Sequence, residues 1–186
     1  MASSLLPSFE ASTVRFIKKL LILAVLLVGG VWLYGRSLPR EHRASSAITL
    51  VAHQDTVFAV IRNIGTAHSW WSDLRAVRRL TRARESWEQD MGASGKISLE
   101  VTAADPPRRM ITTVLNDQQQ DFGGTWTYDV RMFASVTEVQ ITENGWVESP
   151  FFRVVAKLSG HHRTLNSYLS SLGAHFGESV TPRRIN

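Results

Sequence analysis

The sequence predicts an α+β fold in which a long C-terminal helix covers one face of a seven-stranded antiparallel sheet, preceded by an N-terminal transmembrane helix. Three observations carry this expectation. Between Ser149 and Phe176, the positions Phe151, Val155, Leu158, His162, Leu165, Leu169, Leu172 and Phe176 recur at spacings of four and three. They form one stripe, apolar except at His162, on a helix about 40 Å long. From Val77 to Glu143 the hydrophobic period drops to two, the signature of strands with one wet face. Leu20 to Tyr34 is a run of fifteen residues without a charge.

Taken in chain order, that uncharged run is short for a hydrocarbon core of about 30 Å. Phe16 and Ile17 extend it, Lys18 and Lys19 can snorkel, and Trp32 and Tyr34 sit where interfacial aromatics belong, so a retained single-pass anchor is expected. A cleaved signal peptide and a buried soluble helix are the alternatives. Arg15, Lys18 and Lys19 lie closer to the run than Arg36, Arg40 and Arg43, which points to an inside N-terminus and an extracytoplasmic domain. Ser37 to Ser46 reads as a tether. The expected division is an N-terminal tail at 1–19, an anchor at 20–35, a linker at 36–46, a domain at 47–177 and a C-terminal tail at 178–186.

Within the domain, Ala47–Ala52 reads as a first strand. A helix capped by Asp55 follows through Val57, Phe58, Val60, Ile61 and Ile64, and then comes a short element around Trp70-Trp71. Six strands are expected at 77–82, 85–90, 96–103, 108–116, 125–133 and 136–143. Ile97, Leu99 and Val101, and likewise Trp126, Tyr128 and Val130, alternate with polar residues. Ser149 as N-cap and Pro150 at the first helical position start the last helix. Gly160 weakens its middle by about 1 kcal/mol relative to Ala, so a bend is expected beside His162.

Composition narrows the chemistry. With no Cys, a disulfide framework, a thiolate metal site and a cysteine nucleophile are all excluded. The pI of about 10.1 does not indicate a nucleic-acid face. Residues 1–43 carry six Lys/Arg against two acids, whereas residues 44–186 carry fifteen against fourteen, so the basicity flanks the apolar run. The five arginines between Arg75 and Arg84 lack the interleaved aromatics of a nucleic-acid platform. They read as a protected strand edge, or as a patch for anionic headgroups.

Four pieces and their order carry a family resemblance: Asp55-Thr56-Val57-Phe58-Ala59-Val60-Ile61 followed by Trp70-Trp71-Ser72; Pro106-Pro107-Arg108-Arg109-Met110; Phe122-Gly123-Gly124-Thr125-Trp126-Thr127-Tyr128; and Val139-Gln140-Ile141-Thr142-Glu143-Asn144-Gly145. Between Ala47 and Phe176 the chain resembles the START-like, or Bet v 1-like (SRPBCC), superfamily, and within it the bacterial polyketide cyclase/dehydrase and lipid-transport family. The resemblance implies a curved sheet gripping the C-terminal helix around an apolar cavity, and a lipid, sterol, isoprenoid or polyketide as ligand.

The expected cavity residues are Trp70, Trp71, Trp126, Tyr128, Ile141, Phe151, Val155, Leu158, His162 and Leu165, with Trp126 and Tyr128 favoured by the resemblance. The expected function is membrane-tethered binding of a hydrophobic small molecule without turnover and without a cofactor. One alternative is a polyketide cyclase or dehydratase with His162 as acid or base. Another is an interaction module with a filled cavity. His161 and His162 diverge by about 100° on a helix and the other histidines are scattered, so no metal site is expected. Oligomeric state is left open by the sequence.

Overall fold

The computed structural model describes residues 7–116 and 120–185, with side chains of the first helix from Thr13 onward. Helix α1 spans Pro7–Ser37 and opens on a proline, where the missing N–H is no loss. Residues 7–19, expected as a tail, belong to it because no breaker separates them from the apolar run; the first six lie outside the described residues. From Thr13 to Ser37 its mean hydropathy reaches 2.2 and none of its most apolar stretch is buried. It is an exposed apolar helix of the kind that forms an anchor or a signal sequence.

The expected linker is also absent. The Ser37 hydroxyl donates to the Tyr34 carbonyl at 2.7 Å, closing α1, and β1 runs Glu41–Leu50. Periodicity missed the start of this strand because Ser45 and Ser46 are polar yet buried. Their hydroxyls are satisfied instead by Thr142 at 3.0 Å and by Asn166 at 2.8 Å.

Helix α2, Gln54–Arg62, buries Val57, Phe58 and Ile61, and the Gln54 amide donates to the Val130 carbonyl at 2.8 Å. His53, rather than Asp55, is its N-cap; its Nδ1 accepts the Asp55 N–H. A 3-10 segment at Ile64–Ser69 leads to the paired tryptophans.

The meander then follows the expected order: β2 Ala76–Leu80, β3 Ser86–Asp90, β4 Lys96–Asp105, β5 Arg109–Val114, β6 Phe122–Phe133 and β7 Val136–Val147. Among the described residues the sheet has eight strands, not seven, in the order β2-β3-β4-β5-β6-β7-β1-β8. The added strand β8, Arg183–Ile185, lies in the expected C-terminal tail, pairs with the free edge of β1, and Arg183 forms an ion pair with Glu138. Three residues carry too little periodicity to be read as a strand.

The C-terminal helix is two helices, α3 Pro150–Ser159 and α4 Arg163–His175. Gly160 adopts a φ of 78° and its N–H caps the Ala156 carbonyl at 2.9 Å, so α3 ends there. α4 buries Leu165, Tyr168, Leu169 and Leu172 against β1 and β7, whereas α3 packs beside the end of α1. Residues Phe151, Val155 and Leu158, expected to wall the cavity, are therefore exposed.

The opening of β6 is bent at Gly123-Gly124. Gly124 has φ 148°, and a Cβ there would run into the Asn144 carbonyl on β7. Replacing it by Val adds backbone strain to a steric clash, and Gly124→Val is expected to cost about 2–4 kcal/mol in urea denaturation.

Arg62 on α2 grips Glu85 ahead of β3 through its two terminal guanidinium nitrogens, one at 2.7 Å, and the Trp87 indole donates to the same carboxylate at 3.0 Å. The Arg62 hydrogen bond leads in lowering the Glu85 pKa, against burial, which raises it. A lowered folded-state pKa means the stabilisation is full above the ordinary glutamate range and is lost as pH falls through the lowered value. Arg62→Met should therefore cost about 1–2 kcal/mol at neutral pH, between the values for exposed and buried pairs. The gap to the parent should narrow in denaturation curves recorded toward about pH 3.

Candidate functional site

α4 and the Trp70-Trp71 segment cover only part of the sheet's inner face. Above the uncovered strands lies a cavity of about 240 Å³. Leu99 on β4, Thr112 on β5, Trp126 and Tyr128 on β6 and Glu143 on β7 form its floor, with Trp71 and Thr164 above. Alternation places Ile97 and Leu99 on the same face. Phe122, Gly123 and Gly124 stand at one end, where Phe122 is 39 % exposed.

One wall is a cluster of rings centred on Tyr168 of α4. Its centroid lies 4.9 Å from Trp71, 5.1 Å from Trp70, 5.7 Å from Tyr128 and 6.0 Å from Trp126, the tryptophans meeting it edge-on. Burial pushes both phenols well above the ordinary tyrosine range; for Tyr128 a hydrogen bond with Thr112 works the other way, and for Tyr168 the neighbouring Tyr128 adds to the rise. Both are neutral at physiological pH. The buried Trp71 indole N–H has no acceptor among the described residues.

Of the residues expected at the site, Trp71, Trp126 and Tyr128 meet at the cavity. Trp70 packs on Tyr168 and, at 6.0 Å, on His175, behind the wall. Ile141 and Leu165 are fully buried core. Phe151, Val155 and Leu158 lie on the outer face of α3.

His162 sits at the break between the two helices, outside the cavity lining, with Nδ1 3.1 Å from the Ser46 hydroxyl. His161 beside it stacks on His42 at 4.0 Å. Burial lowers the pKa of both His161 and His162, helped by His42 for the first and by Arg184 for the second, so both are neutral near pH 7. Among the described residues no group of three or more acids or histidines could hold a metal ion.

Sequence reasoning missed Glu143, Thr112 and Tyr168. Glu143 is the direct register partner of Trp126 and lies two residues past Ile141 on β7, so alternation already placed it on their shared face. Tyr168 lay three residues past Leu165 on the inner side of the helix and was legible by spacing. The arginine run forms edge strand β2 and its approach to β3: Arg78 pairs with Glu88 at 3.2 Å, Arg84 with Glu100 at 3.1 Å, and Arg79 lies over the Trp87 ring.

No family model matches the chain, and no curated protein matches it in sequence. Solved structures do. An aromatase/cyclase from a Streptomyces species superposes with a TM-score of 0.60 at 11% identity, over 73% of this chain and 93% of that one. Truncated norcoclaurine synthase from Thalictrum flavum gives 0.59 at 8% identity, over 73% and 93%. A START superfamily protein from Mycobacterium smegmatis gives 0.52 at 14% identity, over 70% and 99%. With a long antiparallel sheet closed over C-terminal helix α4, the chain has the helix-grip fold of the START-like, Bet v 1-like superfamily.

Proposed function

We propose that the protein binds a hydrophobic small molecule of lipid, isoprenoid or polyketide type in the cavity between the sheet and α4, without converting it, and that α1 holds the domain at the outer face of a membrane. The observation that carries this reading is the cavity wall itself. Leu99, Trp126 and the Tyr168 cluster offer apolar surface, while the Trp71 N–H, the Thr112 hydroxyl and the Glu143 carboxylate are among the polar groups that could orient a ligand. A volume of about 240 Å³ is just below the usual range of about 300–1,000 Å³ for small-molecule sites. A single ring system or part of an isoprenoid chain suits it, with the remainder passing out beside Phe122.

Acid–base turnover through His162 is the weaker reading, because that ring is engaged with Ser46 away from the cavity. An interaction module with a filled interior is weaker still, since the interior is open.

Organic extraction of the chain from Leu38 onward, followed by mass spectrometry, should recover a hydrophobic compound. Val114 lines the cavity, so Val114→Trp should fill it and weaken binding of a fluorescent polyene fatty acid at least about tenfold, or ~1.4 kcal/mol, with the fold retained by circular dichroism. An empty parent protein that ignores the probe, or a variant that binds as well as the parent, would count against the cavity as the site.

A further inference from the structure

Helix α3 is amphipathic the wrong way round for a domain helix. Its cationic side faces the protein. The Arg153 guanidinium donates to three backbone carbonyls, those of Val147 at 2.8 Å, Glu148 at 2.8 Å and Leu38 at 3.3 Å. Ala156 and Lys157 turn toward the corner formed by Leu38 to His42. The opposite side carries Phe151, Phe152, Val155 and Leu158, with 41 %, 57 %, 58 % and 82 % of their surface exposed. Four large apolar side chains on one short helix form a patch rather than scattered exposure. The Arg153 clamp prevents the helix from rolling to bury them against the sheet.

The neighbour of α3 identifies what covers that patch. Gly35 of α1 meets Pro150 so closely that a Cβ on the glycine would overlap the Pro150 carbonyl, and the Lys157 ammonium lies 5.4 Å over the Tyr34 ring. Trp32, carrying Arg36 at 5.4 Å, is one turn back along α1. Tryptophan, tyrosine and arginine at the end of an apolar span mark the level of the lipid headgroups. α3 is therefore attached at that level, with its apolar side away from the protein.

We infer that α3 is an interfacial helix, lying in the headgroup–acyl boundary of the bilayer that α1 spans and seating Phe151, Phe152, Val155 and Leu158 among lipid chains. The inference rests on reading α1 as a membrane anchor. It also bears on the cavity. Phe122, at the exposed end, is the register partner of Val147, three residues before α3 begins, and the Glu148 N–H donates to the Asp121 carbonyl at 2.7 Å. Seating α3 in lipid brings that end of the cavity to the membrane surface, so a hydrophobic ligand can pass from bilayer to cavity without crossing water.

The absence of Cys makes single-cysteine labelling of the full chain direct. Phe152→Cys and Leu158→Cys on α3, Val25→Cys within α1, and Ala103→Cys on an exposed stretch of β4 would each carry an environment-sensitive fluorophore. The proteins are reconstituted in vesicles of equimolar phosphatidylcholine and phosphatidylglycerol that contain nitroxide lipids. Probes at Phe152 and Leu158 should lose more than half of their emission to a nitroxide near the top of the acyl chain and less to one at its end. The Val25 probe should show the reverse order, and the Ala103 probe should be indifferent to both.

If Val25 is quenched from the chain end while Phe152 and Leu158 behave like Ala103, the α3 inference is overturned and the anchor reading stands. If Val25 is not quenched, both fall. Blue-shifted α3 probes untouched by either nitroxide would overturn the inference in favour of a protein partner on this face. Leu158 is almost wholly exposed, so its replacement keeps the test valid even if labelling at Phe152 disturbs the helix.

Discussion

The arrangement depends on where α4 can approach the sheet. Close packing of a helix on strands needs small side chains beneath it, and β1 provides them at Ala44 and Ser46, both buried. Ser46 donates to Asn166 at 2.8 Å and lies 3.1 Å from His162, which ties the start of α4 to β1. The helix therefore settles across β1 and β7, at one side of an eight-stranded sheet. The concave face over β3 to β6 is left for the Trp70-Trp71 segment to cover, which it does only in part. The cavity is the space that this off-centre helix leaves behind, and the rings around Tyr168 are its border.

Much of this was legible in the residues. Alternation at Ile97, Leu99 and Val101 and at Trp126, Tyr128 and Val130 identified β4 and β6 and put Trp126 and Tyr128 on one face, and the family resemblance marked that face as the cavity side. The order of the meander from β2 to β7 followed from short antiparallel connections. What could not be read has physical causes. Glu143 shares the inward face of Ile141 by alternation, but a carboxylate on a strand ordinarily marks a face turned to water. Ser45 and Ser46 look like linker residues because burial of a hydroxyl depends on partners distant in sequence, Thr142 and Asn166. The eighth strand depends on a free edge of β1 that only the assembled sheet presents.

The charge state of the interior follows from the same packing. Both buried phenols are held neutral by desolvation, and the two histidines at the helix break are neutral for the same first reason. Among the described residues Glu143 is the one carboxylate lining the cavity. It stands 3.5 Å from His42 on the side where that ring stacks on His161. The cavity floor is thus mainly apolar, and its acid lies toward the helix break. That distribution favours a largely uncharged occupant with at most one polar end.

The stripe from Phe151 to Phe176 shows why periodicity alone misassigned part of the site. A hydrophobic period reports that a helix face avoids water, and it is silent on whether protein or lipid replaces the water. The stripe runs unbroken through Gly160, and a single glycine costs only about 1 kcal/mol in a helix, so nothing in the pattern forbids one continuous element. In the folded chain Gly160 takes a positive φ and the two halves part. Leu165, Leu169 and Leu172 then go to the sheet while Phe151, Val155 and Leu158 are turned outward by Arg153. Had the helix stayed straight, burying one half against the sheet would have fixed the direction of the other. The break at Gly160 removes that coupling, and it lets α4 close the cavity while α3 follows α1.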